Sequence, residues 1–262
     1  MTIQESPALP AYDHRAGTGP TLVFLHYWGG SSRTWGPIVE RLAERDVLTI
    51  DFRGWSRSRH LSGPYTLQQL ADDTVAILNE AQVQEYVLVG HSMGGKVAQL
   101  IASTRPAGLR GVVLVGSGPA TPAPEITPEY RQGLSHAYDS VESVAGARDA
   151  ILSATPLNAQ YKSQVLEDSS ASANDEARTY WPLRGIAEDI HEQTQNISVP
   201  VLVVAGERDQ VEPVAVLESN LLPFLPSAEL LIIPAVGHLI PLEASDALSK
   251  VITEFVDSAV RR

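Results

Sequence analysis

The sequence predicts an α/β protein whose central parallel sheet is buried between helical layers. Short apolar runs recur along the chain, nearly continuous rather than alternating, as strands covered on both faces are. Between them lie segments with apolar residues at helical spacing, so strand and helix alternate. The chain has 262 residues, 44% hydrophobic and 19% charged, which suits one large domain with a substantial core.

The expected strands, in order, are "TLVFL" (21–25), "VLTI" (47–50), "YVLVG" (86–90), "GVVLVG" (111–116), "VLVVAG" (201–206) and "ELLIIP" (229–234). Helical patterns run over Trp35 to Ala43, Thr66 to Ala81, Met93 to Thr104, Pro213 to Leu222 and Ala244 to Val260. In the second of these, Leu67, Leu70, Thr74, Ile77 and Leu78 share one face. From Pro119 to Asn196 no buried strand is expected. That stretch opens with the proline-rich "PATPAPEITPEY" and continues as amphipathic pieces at 130–138, 141–152, 159–168 and 175–181. It carries twelve acidic and five basic residues in a chain of net charge −12. We read it as a helical cap, 119–196, between core segments 1–118 and 197–262. It leaves the C-terminal end of a strand, the edge at which open α/β sheets bind ligands.

Composition narrows the function. An acidic chain without a basic run is a poor partner for nucleic acid. The absence of cysteine excludes disulfides and thiol chemistry. The N-terminus lacks the pattern of a secretory signal, and no apolar run approaches the roughly 20 residues that span a bilayer. A cytoplasmic protein with a small-molecule substrate and no membrane partner is expected. Without a metal-ligand cluster, dinucleotide fingerprint or phosphate loop, no cofactor or metal is expected.

The sharpest motif is "VLVGHSMGGKVAQL" (87–100), which sets Gly90-His91-Ser92-Met93-Gly94 between a strand and a helix. In that context G-x-S-x-G is a tight, strained turn that holds a serine up at the sheet edge. The N–H of Met93 would point to where an oxyanion forms, assisted by the helix dipole. A serine hydroxyl needs a base. His238, in "IIPAVGHLIPLE", and Asp209, in "VLVVAGERDQVEP", both follow C-terminal strand ends, as Ser92 does. Lys96 lies four residues after Ser92, one too many for a serine–lysine pair, and reads as a surface or packing residue.

The segments "FLHYWGG", "DFRGWSRS", "GHSMGG", "AGERD" and "VGHLIPLE", in that order, resemble the α/β-hydrolase family, in particular its small, cap-containing, esterase-like members. The resemblance spans nearly the whole chain. It implies a mostly parallel sheet, with Ser92 as nucleophile, His238 as base and Asp209 as acid. The family's G-x-x-D spacing from Gly206 favours Asp209 over Glu207, and "GSGPA" (116–120) holds no acid at the alternative strand. His91 and His26 rank behind His238, the first as a packing residue and the second as a structural hydrogen-bonder. The family's H-G-x pattern falls on His26-Tyr27-Trp28, so the N–H of Trp28 is the expected second oxyanion donor. Tyr27 stands where the family has glycine and is a candidate to offer its hydroxyl to substrate; the alternative has it pointing away and packing under the cap. Trp181 and Arg184, in "TYWPLRG", are candidate pocket residues. In "DFRGWSRSRH", Ser56 replaces the usual second glycine, and the arginines there are expected to fix the loop.

The implied activity is hydrolysis of a small to medium uncharged carboxylic ester or lactone through an acyl-enzyme. Other members use the same residues for carbon–carbon bond hydrolysis, perhydrolysis or hydroxynitrile lysis. A receptor-like ligand-binding protein that retains the triad is a further alternative.

Overall fold

A computed structural model describes residues 8–171 and 174–259. The first seven residues, expected to carry no leader, and Val260, expected to end the last helix, lie outside the described residues.

Among the described residues, one seven-stranded sheet has the order β1-β3-β2-β4-β5-β6-β7. Its strands are β1 (Tyr12–Arg15), β2 (Thr18–Leu25), β3 (Arg45–Ile50), β4 (Tyr86–His91), β5 (Leu109–Val115), β6 (Val201–Gly206) and β7 (Glu229–Ile233). All neighbours pair in parallel except β1, which runs antiparallel to β3. The six strands expected from apolar runs are present. β1 was not expected: "YDHR" is polar and partly exposed, and only its edge pairing makes it a strand.

Alternate residues of each central strand feed two cores. Val23, Leu25, Leu88, Leu114 and Val203 pack on one face, with α2 (Leu67–Glu80) and α3 (Met93–Ser103). Leu22, Phe24, Val89, Val115 and Val204 pack on the other, with α1 (Gly36–Arg41) and, further along the chain, the C-terminal helix Ser245–Ala259. Both faces are covered, which is why the strands read as continuous apolar runs. Thr66 starts α2 by accepting a hydrogen bond from the N–H of Gln69, and the five residues expected on its inner face are buried.

Between β5 and β6 come α4 (Pro128–Leu134), α5 (Val141–Ala147), α6 (Ala159–Leu166), α7 (Asp175–Leu183) and α8 (His191–Thr194). α5 and α6 each run on into a π-helical turn, at Arg148–Leu152 and Glu167–Ala171. α9 (Val214–Asn220) follows β6, and α10 (Ile240–Glu243) and α11 (Ser245–Ala259) follow β7. No helix of the described residues is long and apolar enough to cross a membrane.

The turn after β4 is tightly packed. Ser92 has φ 55° and ψ −115°, a strained backbone for a residue with a side chain. A Cβ on Gly94 would lie 2.5 Å from the carbonyl oxygen of Leu25 and 2.7 Å from that of His26. A Cβ on Gly90 would collide with the backbone of Gly94. Gly94→Ala is therefore expected to lower stability by roughly 2–4 kcal/mol, because backbone on both sides must give. Urea unfolding measures it; an unchanged midpoint would mean that the turn is looser than this.

Candidate active site

The site is assembled from loops at the C-terminal ends of the strands. Ser92 closes β4 and starts α3. Its N–H donates to the carbonyl of Val115 at 3.0 Å, and its own carbonyl accepts from the N–H of Gly118 at 3.1 Å. The turn is thereby sewn to the end of β5. Among the described residues, the N–H groups of Met93 and Trp28 have no hydrogen-bond acceptor. For Met93 this follows from its place in the first turn of a helix.

Asp209 and His238 come from the loops after β6 and β7. His238 Nδ1 and Asp209 Oδ2 are 2.8 Å apart, and both side chains are buried. The other oxygen, Oδ1, accepts from the N–H groups of Val211 at 2.8 Å and Glu212 at 2.9 Å. Burial works to raise the Asp209 pKa, but His238 and these two N–H groups outweigh it and hold the carboxyl below its ordinary value. Gly116, with φ 44°, lets the end of β5 pass this pair; a Cβ there would sit 3.2 Å from Asp209 Oδ2. The His238 loop is tied to the helical segment: the N–H groups of His238 and Leu239 both donate to Leu152. Glu243 accepts from Gly237, Ala154 and Thr155.

The rival histidines are occupied. His26 Nδ1 donates to the carbonyl of Tyr27 at 2.7 Å, and its Nε2 accepts from the N–H of Phe52 at 3.1 Å. Burial lowers its pKa to about 4. His91 Nε2 donates to the carbonyl of His238 at 2.8 Å, and burial lowers its pKa to about 3. Both rings are neutral supports at pH 7. Arg53 forms a two-pronged ion pair with Asp73, at 2.7 and 2.8 Å, and Arg57 pairs with Asp51 and Asp13. Ser56 has φ 45°, so the serine adopts the left-handed conformation that a glycine takes at no steric cost.

Ser92 and His238 face a cavity of about 440 Å³. Its walls include Tyr27, Trp28, Leu152 and Val211, with Tyr130, Leu134, Tyr138, Trp181 and Ile186 from the helical segment. That segment sits directly on the loop after β2. The ring of Tyr138 stacks on Trp28 at 4.1 Å, and its hydroxyl donates to the Trp28 carbonyl at 3.2 Å. Trp28 Nε1 donates to the carbonyl of Arg178 at 2.8 Å. Buried Asp168 accepts from Ser31 at 2.8 Å and from Arg33, and Ser169 donates to Gly29 at 2.7 Å. Gly29, at φ 89°, leaves the room that Tyr138 and Ser169 take.

Of the residues expected at the pocket, Tyr27 and Trp181 line the cavity and Arg184 does not. Arg184 follows the last turn of α7 and is exposed, which corrects the expectation for it. Tyr27 presents its ring to the cavity, while its hydroxyl lies against Ser169, Tyr138 and Asp168. Lys96 is fully buried, not on the surface. Its ammonium donates to the carbonyls of Glu188 and Gly185, and burial lowers its pKa to about 8. Sequence reasoning missed Glu212, a carboxyl in the cavity wall. Its place three residues after Asp209 was the only available signal.

A sheet of this order with a serine elbow and a buried Asp–His pair defines an α/β hydrolase fold. Residues 20–245 match the model of the α/β hydrolase fold family, and the chain belongs to that family. It is 25% identical over 252 residues to the 2-(acetamidomethylene)succinate hydrolase of Mesorhizobium japonicum, covering 92% of this chain and 90% of that one. An esterase from Exiguobacterium antarcticum is similar in fold, with a TM-score of 0.84 at 19% identity over 94% of each chain. Est816, described as an N-acyl homoserine lactone degrading enzyme, has a TM-score of 0.75 at 26% identity, over 94% of this chain and 96% of that one. Family and relatives together support hydrolase activity.

Two outcomes are expected. Tyr27→Phe should leave kcat and KM within about twofold on an ester panel and cost about 1 kcal/mol of stability, the worth of one hydrogen bond; a tenfold loss of activity would place the hydroxyl on substrate. Asp209 is held below its ordinary pKa in the folded state, so the unfolded chain binds its proton first as pH falls. Its contribution to stability is present above about pH 4 and is lost as pH drops through the native value. The gap in denaturation midpoint between wild type and Asp209→Asn should therefore shrink in acid; a gap that widens below about pH 4 would contradict this sign.

Proposed function

We propose that the protein is a serine hydrolase that cleaves a small to medium uncharged carboxylic ester or lactone through an acyl-enzyme. The observation that carries this reading is Ser92, held on a strained elbow in the wall of the cavity that His238 also faces, with His238 fixed from behind by Asp209.

Ser92 Oγ attacks the carbonyl carbon while His238 Nε2 takes its proton. Asp209 holds the opposite ring nitrogen, so Nε2 keeps its lone pair, and stabilises the imidazolium without accepting its proton. The N–H groups of Met93 and Trp28 meet the oxyanion; one such donor is worth roughly 10²–10³ in kcat. Collapse expels the alcohol, which leaves with the proton from His238. Water, deprotonated by His238, then attacks the acyl-enzyme and releases the acid. The segment 119–196 acts as the cap that walls the cavity, with Tyr27 and Trp181 as apolar substrate contacts. Walls that are mostly apolar favour an uncharged substrate, because an ion would lose its hydration there.

Ser92→Ala should abolish release of p-nitrophenol from short acyl esters, and a fluorophosphonate probe should label Ser92 in the wild type. Full activity in Ser92→Ala, or an adduct on another residue, would overturn the assignment. Asp209→Asn should lower kcat by roughly 10⁴ while the fold persists, because the imidazole is then held in the wrong tautomer.

A further inference from the structure

Among the described residues that line the cavity, one is a carboxylic acid, and the mechanism above leaves it unused. Glu212 is 5% exposed, and it lines the same cavity as Ser92 and His238. Among the described residues, its carboxyl oxygens receive no hydrogen bond. The backbone explains why. The two N–H groups nearest in sequence, of Val211 and of Glu212 itself, are both spent on Asp209. The Lys96 charge acts on Glu212 from nearby, but its hydrogen bonds go to the carbonyls of Gly185 and Glu188. A largely buried carboxyl without donors favours the uncharged acid, which carries an O–H.

We propose that Glu212 is a specificity-determining residue: its carboxylic O–H donates to an uncharged second carbonyl oxygen of the substrate, apart from the one that Ser92 attacks. The substrate class is then an ester or lactone bearing a keto or amide group as well. This deepens the reading of the site as a serine hydrolase and rests on it. Around Glu212, what favours the acid outweighs what favours the anion. Burial raises its pKa well above the carboxylate range, and the Asp209 carboxylate raises it further, while Lys96 opposes them. Tyr130, on α4, faces it as a neutral phenol and His238 lies in the same cavity wall. A carbonyl on the substrate suits this acid better than an ion does. A substrate carboxylate would be a buried anion within reach of the Asp209 charge, and an ammonium would add to the charge of Lys96 nearby.

The test uses Ser92→Ala, which binds esters without forming an acyl-enzyme, and reads quenching of the cavity tryptophans. The ligands are p-nitrophenyl heptanoate and its 4-, 5- and 6-oxo counterparts. At least one oxo ester should bind roughly tenfold tighter than the parent, the worth of one good hydrogen bond. Adding Glu212→Leu should bring the ratio within about twofold, and adding Glu212→Gln, whose amide still donates, should retain it. The preference should fall with rising pH wherever Glu212 ionises, since ionisation removes the donor, and stay flat with Gln. The Gln variant and the pH comparison serve if Glu212→Leu does not fold. No oxo preference, a preference that survives Glu212→Leu, or the same pH profile with Glu and Gln would overturn the proposal. Binding is read without turnover, so loss of wild-type ester hydrolysis would instead sink the serine hydrolase reading alone.

Discussion

Everything at this site depends on the backbone of Ser92. A side-chain-bearing residue at φ 55° and ψ −115° costs on the order of 1–3 kcal/mol, so its surroundings must over-determine it. They do so from three directions. Gly90 and Gly94 remove the side chains that would push α3 away from β2 and β4. The N–H and carbonyl of Ser92 are both bonded to the chain around β5. β4 itself is central and wholly buried, so the turn cannot relax by moving the strand. The same conformation leaves the first N–H of α3 without an acceptor. Strain at one residue thus places a hydroxyl and a hydrogen-bond donor together.

The loop after β2 adds a second layer of constraint, and its aromatics explain how. Tyr27 packs on His91 at 5.1 Å, within the elbow, while Trp28 stacks on Tyr138 of the helical segment. His26 donates to the carbonyl of Tyr27 and accepts from Phe52, so the peptide leading to Trp28 is held by a buried, neutral ring. The chain that carries the free Trp28 N–H is therefore the chain on which the segment between β5 and β6 rests. Asp168, reaching Ser31 and Arg33, fastens the next turn of the same loop. A shift of that helical segment would move the Trp28 peptide, because the stack and the hydrogen bond to its carbonyl share one residue.

The sheet was legible because strands buried on both faces cannot hide their composition: β2 to β6 each announce themselves as apolar runs, and the half-exposed edge strand β7 does so by its Leu-Leu-Ile-Ile run. β1 was not, since an edge strand of Tyr-Asp-His-Arg has no pattern to read, and only its partner β3 makes it one. The motifs around Ser92, Asp209 and His238 were legible because tight turns and strand ends demand particular residues at fixed spacing. The long segment between β5 and β6 yielded its helices but not their ends. α5 and α6 run on into π turns that bring Leu152 to the His238 loop and Asp168 to Ser31, contacts between residues far apart in sequence. Lys96 was legible only as one of two alternatives, surface or packing, and Asp168 and Glu212 not at all, for one reason. A charged residue reads as exposed, and what buries it lies tens of residues away.

Glu212 and Asp209 show how finely that burial can discriminate. They sit on one turn, three residues apart, with the same chemistry in their side chains. Asp209 receives two backbone N–H groups and a histidine, and its charge is held. One of those N–H groups belongs to Glu212, whose own carboxyl is left facing an apolar wall and is driven toward the neutral form. The donors that ionise the first carboxyl are therefore those withheld from the second. A single turn after β6 thus sorts one acid into an anion behind the imidazole at neutral pH and the other into a hydrogen-bond donor inside the cavity. The sorting is done by backbone groups, so substitution of either side chain leaves the donors in place.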